Sequence, residues 1–137
     1  MTNPQKLFPL LITEKLAETR AFYRDLAGFS ITLDRDDYLQ VRSEATLDAP
    51  ELCFMSPQAM PGQPLEAFGG QGLIVSIPTP NADEKAKSLI RAGAHGVGEV
   101  SDKPWGWRSF IVPDPNGILL DFFHATVDSS KPHHEAS

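Results

Sequence analysis

The sequence predicts an α+β fold made of two tandem βαβββ modules. Three observations carry this prediction. The order strand, helix, strand, strand, strand can be read twice along the 137 residues, and the two helical segments overlay at a constant offset of sixty-five positions. A stretch rich in proline and glycine separates the two halves.

The first module spans residues 1–56. Residues 6–12, "KLFPLLI", form an apolar run of strand length, in which Pro9 indicates an edge or a bulge. Thr13 can cap the following "EKLAETRAFYRDLAG", where Leu16, Phe22, Tyr23 and Leu26 fall on one helical stripe and Gly28 gives a stop signal. Three strands follow, "FSITLD", "YLQVRS" and "ELCFMS". "RDD" supplies the turn between the first two and "EATLDAP" the connection to the third.

Residues 57–70, "PQAMPGQPLEAFGG", hold three prolines and three glycines and form a linker. The pattern then recurs over residues 71–124. "GLIVSI" is a strand, and "NADEKAKSLIRAG" is a helix that Asn81 can cap and Gly93 can end. "HGVGEV", "WRSFIV" and "ILLDFF" complete the module. Ala17-Glu18 aligns with Ala82-Asp83, Ala21 with Ala86 and Gly28 with Gly93. Residues 125–137, "ATVDSSKPHHEAS", are polar and interrupted by proline, which predicts a disordered tail.

The charge balance narrows the partners. Eighteen acidic residues against twelve basic ones give a net charge of −6 with no basic block. Nucleic acid and anionic membrane both require clustered Lys and Arg, so a small molecule is the expected partner. Cys53 is the single cysteine and cannot form an intramolecular disulfide. With an N-terminal apolar run too short for a membrane span or a signal peptide, this predicts a cytoplasmic protein.

Two stretches, "AETRAFYRDLAGF" and "PWGWRSFIVPDPNGILLDFF", resemble the glyoxalase/bleomycin-resistance/dioxygenase superfamily, also called the vicinal oxygen chelate family. The similarity extends over residues 6–124, and "PWG" looks most like the antibiotic-binding branches. The resemblance implies two βαβββ modules whose sheets curl into a cup, a cleft lined by both halves, and a homodimer.

Metal-dependent members of that family carry four ligands, mostly His and Glu. Carried over by offset from the matched motifs, those positions hold Phe8, Glu51, Gly72 or Leu73, and Asp121. Both imidazoles are missing, and two carboxylates alone suit Fe, Ni or Zn poorly. No metal or other cofactor is therefore expected. His124 does not rescue the set. Side chains alternate along a strand, so Asp121 shares a face with Leu119 and Phe123, and His124 faces the other way. His95, His133 and His134 have no partner at metal spacing.

Glu51 and Asp121 are expected at equivalent places in the two modules, solvated, meeting a cationic ligand, or serving as a general base. "KPWGWRS" places Trp105 and Trp107 beside Arg108. Either indole can stack on a ligand, or plug the core or a dimer seam. Arg108 can clamp an anionic group or pair with an acidic neighbour. Tyr38 and Met55 are further lining candidates, and Cys53 reads as an apolar filler. The Met60-to-Phe68 segment can close over the cleft.

The expected function is metal-independent binding of a hydrophobic or cationic small molecule. The alternative is a lyase- or isomerase-type enzyme of the same superfamily with Glu51 or Asp121 as base, with or without a divalent metal. A third reading is a module that acts mainly through its dimer surface.

Overall fold

The computed structural model describes residues 7–43, 49–63 and 65–126. The expected connection over 44–48 and the tail from 127 onward lie outside the described residues. The chain divides into two compact units. One holds the described residues up to Gln71 together with Asp114–Gly117, and the other holds Gly72–Pro113 and the residues from Ile118.

The first unit follows the predicted order: β1 (Leu10–Ile12), α1 (Leu16–Ala21), β2 (Ser30–Arg35), β3 (Tyr38–Arg42) and β4 (Glu51–Met55). Its sheet runs β1-β4-β3-β2, with β1 parallel to β4 and the other pairs antiparallel. β1 is shorter than the apolar run suggests because Pro9 has no N–H. Its carbonyl still accepts from Cys53 N at 3.1 Å, so the ladder continues there with acceptors only.

Thr13 does serve the helix start, but indirectly. Its Oγ1 accepts from Lys15 N at 2.9 Å, and Lys15 occupies the cap position. α1 then widens into a π-helical turn over Phe22–Leu26, closed by Ala27 N donating to Phe22 O. The chain leaves it through Gly28 at φ 75°.

The helix-facing side of this sheet carries Leu11, Leu39, Val41, Leu52 and Phe54, all buried with Phe22, Tyr23 and Phe29. Tyr23 meets Phe22 and Phe29 edge-on, at 5.1 and 5.2 Å between centroids. Each such buried side chain stabilises the fold by about 1.5–3 kcal/mol relative to exposure.

The second unit contains β5 (Ile74–Pro78), α2 (Ala82–Ala92), β6 (Ser101–Asp102), β7 (Trp107–Pro113) and β8 (Leu119–Ala125), in the sheet order β5-β8-β7-β6. β5 is parallel to β8. Asn81 Oδ1 accepts from Glu84 N at 3.1 Å and Gly93 ends the helix at φ 96°, as the sequence predicts. Ile77, Ala82, Ala86, Leu89, Phe110, Val112, Leu120 and Phe122 make the core.

The expected strand over "HGVGEV" is not one. Gly98 N donates to Ile111 O at 2.8 Å, but pairing resumes only at Ser101 opposite Ser109. Three steps on one side against two on the other make a bulge, so only two residues remain in register. Gly98 lies so close to β7 that a Cβ there would come within 2.9 Å of Ile111 O. At the other end, Ala125 extends β8 into the segment expected to be disordered. Among the described residues no helix is long and apolar enough to cross a membrane.

The two sheets share a topology but not the single offset expected from sequence. Thr13 N ends the β1/β4 ladder on Met55 O, and Thr79 N ends the β5/β8 ladder on Phe123 O. The helices begin at Leu16 and Ala82, and both matches are sixty-six residues apart. Their terminal glycines, Gly28 and Gly93, are sixty-five apart. The π-helical turn is the extra residue that accounts for the difference. Leu16 therefore matches Ala82, where the uniform offset matches Ala17.

Candidate ligand-binding site

Counting from the ends of the two parallel ladders changes the equivalences. Leu10 lies opposite Cys53, and the corresponding pair in the second unit is Ser76 opposite Asp121. Asp121 is thus the counterpart of Cys53, and Glu51 is the counterpart of Leu119. Glu51 and Asp121, seventy positions apart, are not the equivalent pair expected from the sequence, because the two ladders match β4 to β8 at sixty-eight.

In the first unit, alternation puts Glu51, Cys53 and Met55 of β4 on the face away from α1, beside Tyr38, Gln40 and Arg42 of β3. Tyr38 Oη donates to Gln40 Oε1 at 3.0 Å. Burial, followed by the neighbouring Cys53 and Glu51, pushes the Tyr38 phenol upward. Burial also raises the Cys53 thiol, only partly opposed by its hydrogen bond with Tyr38. This suits the expected filler and not a nucleophile. Glu51 stands opposite Arg42, with 3.9 Å between the charged groups.

In the second unit, β7 and β8 present Trp107, Ser109 and Ile111 beside Asp121, Phe123 and Ala125, again on the face away from the helix. Trp107 stacks on Phe123 at 3.7 Å between centroids with an 11° interplanar angle. Two residues along the same strand, Asp121 Oδ2 accepts from Ser76 Oγ at 3.0 Å. Among the described residues no salt bridge engages Asp121. Ile74 (55% exposed), Ile111 (38%) and Leu119 (36%) complete a face that is apolar, aromatic and open, with one carboxylate.

Arg108 is on the other side. Its guanidinium is held by Asp83 of α2 through Nε at 2.8 Å and Nη2 at 3.0 Å, and by Asp102 of β6 through Nη1 at 3.0 Å. Those hydrogen bonds raise the arginine and hold Asp83 below the usual carboxylate range. Of the two expected roles, pairing with an acidic neighbour is the one seen. Arg108 does not share the face of Trp107, because adjacent strand residues point to opposite sides.

Trp105 is 62% exposed at the tip of a three-residue hairpin loop, apart from the Trp107 stack. Gly106 N donates to Lys103 O and Lys103 N to Trp107 O, with Pro104 at the first corner and Gly106 at φ 92°. This is a tight turn closed by a glycine bulge. Phe123 and Ser76 were not singled out by sequence reasoning. Alternation already placed Phe123 on the face of Asp121, but the register that brings Trp107 against it is a property of the folded sheet.

The Asp-Pro-Asn-Gly turn belongs with the first unit. Asp114 Oδ2 accepts from Tyr23 Oη at 2.8 Å, Asn116 Nδ2 donates to Thr19 Oγ1 at 3.0 Å, and Thr13 Oγ1 donates to Asn116 Oδ1. Thr13, Thr19, Tyr23 and Asp114 are all buried. The helical stretch that carried the resemblance and the turn of the second stretch are therefore the two sides of one buried polar network, and the chemistry of that network is structural.

Residues 7–122 match the Glyoxalase/Bleomycin resistance protein/Dioxygenase superfamily. The chain belongs to that superfamily. Similar solved structures include a glyoxalase/bleomycin resistance protein/dioxygenase from Nocardioides, 19% identical, with a TM-score of 0.70, 96% of this chain covered and 89% of that one. TnmS3, an antibiotic binding protein from Streptomyces sp. CB03234, is 19% identical with a TM-score of 0.65, over 91% and 98% of the two chains. Lactoylglutathione lyase from Agrobacterium tumefaciens is 18% identical, also at 0.65, over 88% and 94%. No curated protein matches the sequence.

The four positions carried over by offset do not all offer a metal donor. Phe8 and Gly72 or Leu73 offer no side-chain donor, Glu51 is beside Arg42, and Asp121 is bonded to Ser76. Among the described residues no group of three or more His, Cys, Asp and Glu converges. His124 turns from Asp121 as alternation predicts, and its Nδ1 accepts from Ala82 N at 2.9 Å.

Proposed function

We propose that this superfamily member is a metal-independent small-molecule binding protein that holds a hydrophobic, aromatic or cationic ligand on the β7/β8 face. The observation that carries this reading is the Trp107–Phe123 stack with Asp121 two residues along the same strand. A flat aromatic surface recognises rings and apolar groups, and a carboxylate free of salt bridges recognises an ammonium. The antibiotic-binding relative supports the same direction.

Titrating a panel of aromatic compounds, cationic and neutral, tests it by tryptophan fluorescence and melting temperature. Quenching or a shift accompanied by stabilisation is expected for the cationic aromatic members. No response from any compound overturns the reading. The accompanying assembly in this reading is a homodimer in the cytoplasm; sedimentation equilibrium checks the dimer, and cell fractionation the compartment.

The second reading is a lyase- or isomerase-type enzyme using Glu51 or Asp121 as general base, in keeping with the lyase among the similar structures. Glu51 is the weaker base candidate because Arg42 faces it. A stoichiometric transition metal in purified protein, or deuterium uptake from solvent into an acidic C–H of a candidate substrate, favours the enzyme.

A further inference from the structure

His124 holds the start of α2. The first N–H groups of a helix have no partner within it. In α2, Asn81 Oδ1 takes the Glu84 N–H, and His124 Nδ1, from the neighbouring strand β8, takes the Ala82 N–H at 2.9 Å. A backbone N–H can only donate, so Nδ1 must carry a lone pair and the ring must be neutral in this arrangement.

Charged groups of both signs surround the ring, among them Lys85 of α2, whose Nζ lies over Phe122 on the same face of β8. Arg108 of β7 is its cross-strand neighbour, and Asp83 of α2 is within electrostatic reach. Asp102 of β6 binds the far side of the same guanidinium. His124 is also back to back with the aromatic stack. Phe123 and Trp107, on the opposite face, directly precede His124 and Arg108 along β8 and β7.

We propose that His124 is a pH-sensitive brace: neutral, it pins the first turn of α2 to β8 behind the Trp107–Phe123 stack, and protonated, it releases that turn. Adding a proton to Nδ1 turns the acceptor into a donor facing another donor, so the Ala82 bond breaks. The released helix start leaves Asp83 less firmly placed on Arg108, and the strand positions behind the stack lose their support. The proposal rests on the described contacts and not on the ligand reading.

The test uses the full chain without ligand. NMR follows the His124 ring, the Ala82 amide and the Trp107 indole between about pH 8 and about pH 5, the range in which histidine titrates. Intrinsic-rate-corrected protection of the Ala82 amide is expected to fall by about tenfold or more as the ring protonates, with the indole resonance moving at the same midpoint. His124→Asn keeps an acceptor near Nδ1 and cannot titrate. It is expected to flatten both responses, while any contribution from His95 and the tail histidines remains. Unchanged Ala82 protection through the His124 titration overturns the proposal, as does an identical pH response in His124→Asn. If that variant does not fold, the wild-type titration alone decides. Because no ligand is present, failure of the binding reading leaves these outcomes intact.

Discussion

Tyr23 Oη donates to Asp114 Oδ2 at 2.8 Å, joining residues ninety-one positions apart inside the first unit. The phenol is fully buried. Burial first, and then the Asp114 carboxylate, push it well above its ordinary range, so at neutral pH it is a donor. A buried hydroxyl–carboxylate pair is costly to break from either side, since the remaining partner keeps its desolvation penalty.

Tyr23→Phe is therefore expected to lower stability by about 1–3 kcal/mol, although it removes one atom and leaves the ring contacts with Phe54 and Phe29 in place. Asp114→Ala is expected to cost more, because Asn116 N also donates to Asp114, at 2.8 Å. Urea denaturation of both single variants and the double variant checks this. The double variant should lose less than the sum of the two singles.

Two glycines should differ although both have positive φ. Gly93 ends α2 at φ 96° with open space where a Cβ would be, so Gly93→Ala is expected to lose only the conformational cost, about 1–2 kcal/mol. Gly117 closes the Asp-Pro-Asn-Gly turn at φ 90°, and a Cβ there would lie 2.8 Å from the Gly70 backbone. Gly117→Ala should exceed that cost, because backbone atoms cannot move aside as a side chain does. Thermal unfolding of the two variants gives the comparison.

The Arg108–Asp83 pair should shape the acid limb of stability. Arg108 depresses Asp83 through its hydrogen bonds. A carboxylate lowered in the folded state stabilises above its unfolded value, near 3.8, and loses that contribution as pH falls through the folded value. Asp83→Asn should therefore lower the melting temperature at neutral pH and match wild type at strongly acidic pH. The pair is partly exposed, so added salt should shrink the difference.

Cys53 should report on unfolding. It is fully buried, and burial raises its thiol, so little thiolate reaches solvent in the native state. Alkylation by iodoacetamide is expected to be slow in buffer and to accelerate in step with the unfolded fraction as urea is added. Rapid labelling of native protein would contradict the packing described for β4.

If the β7/β8 face binds ligand, the two tryptophans should separate. Trp107→Phe is expected to remove most of the ligand-induced fluorescence change. Trp105→Phe should retain it, since Trp105 projects from the hairpin tip and takes no part in the stack. Asp121→Asn should weaken cationic compounds by about tenfold or more relative to neutral aromatic ones, the scale of one charge-assisted contact.

The sequence by itself determined the element order, the duplication, the Asn81 and Gly93 helix boundaries and the side of β8 on which His124 emerges. These depend on local periodicity, on glycine and proline chemistry and on the two-residue alternation of a strand, all of which act over a few residues. Tertiary structure decided what depends on register. Only the paired strands show that Asp121 is the counterpart of Cys53 and not of Glu51, because the connections between helix and last strand differ in length in the two modules. Only the sheet brings Trp107 onto Phe123, turns Arg108 to Asp83 and Asp102, and makes Tyr23 and Asp114 partners. A one-residue slip leaves local periodicity almost unchanged and moves every side chain of a strand to the opposite face. That is why the elements were readable from the chain, and the assignment of its functional residues was readable only from the fold.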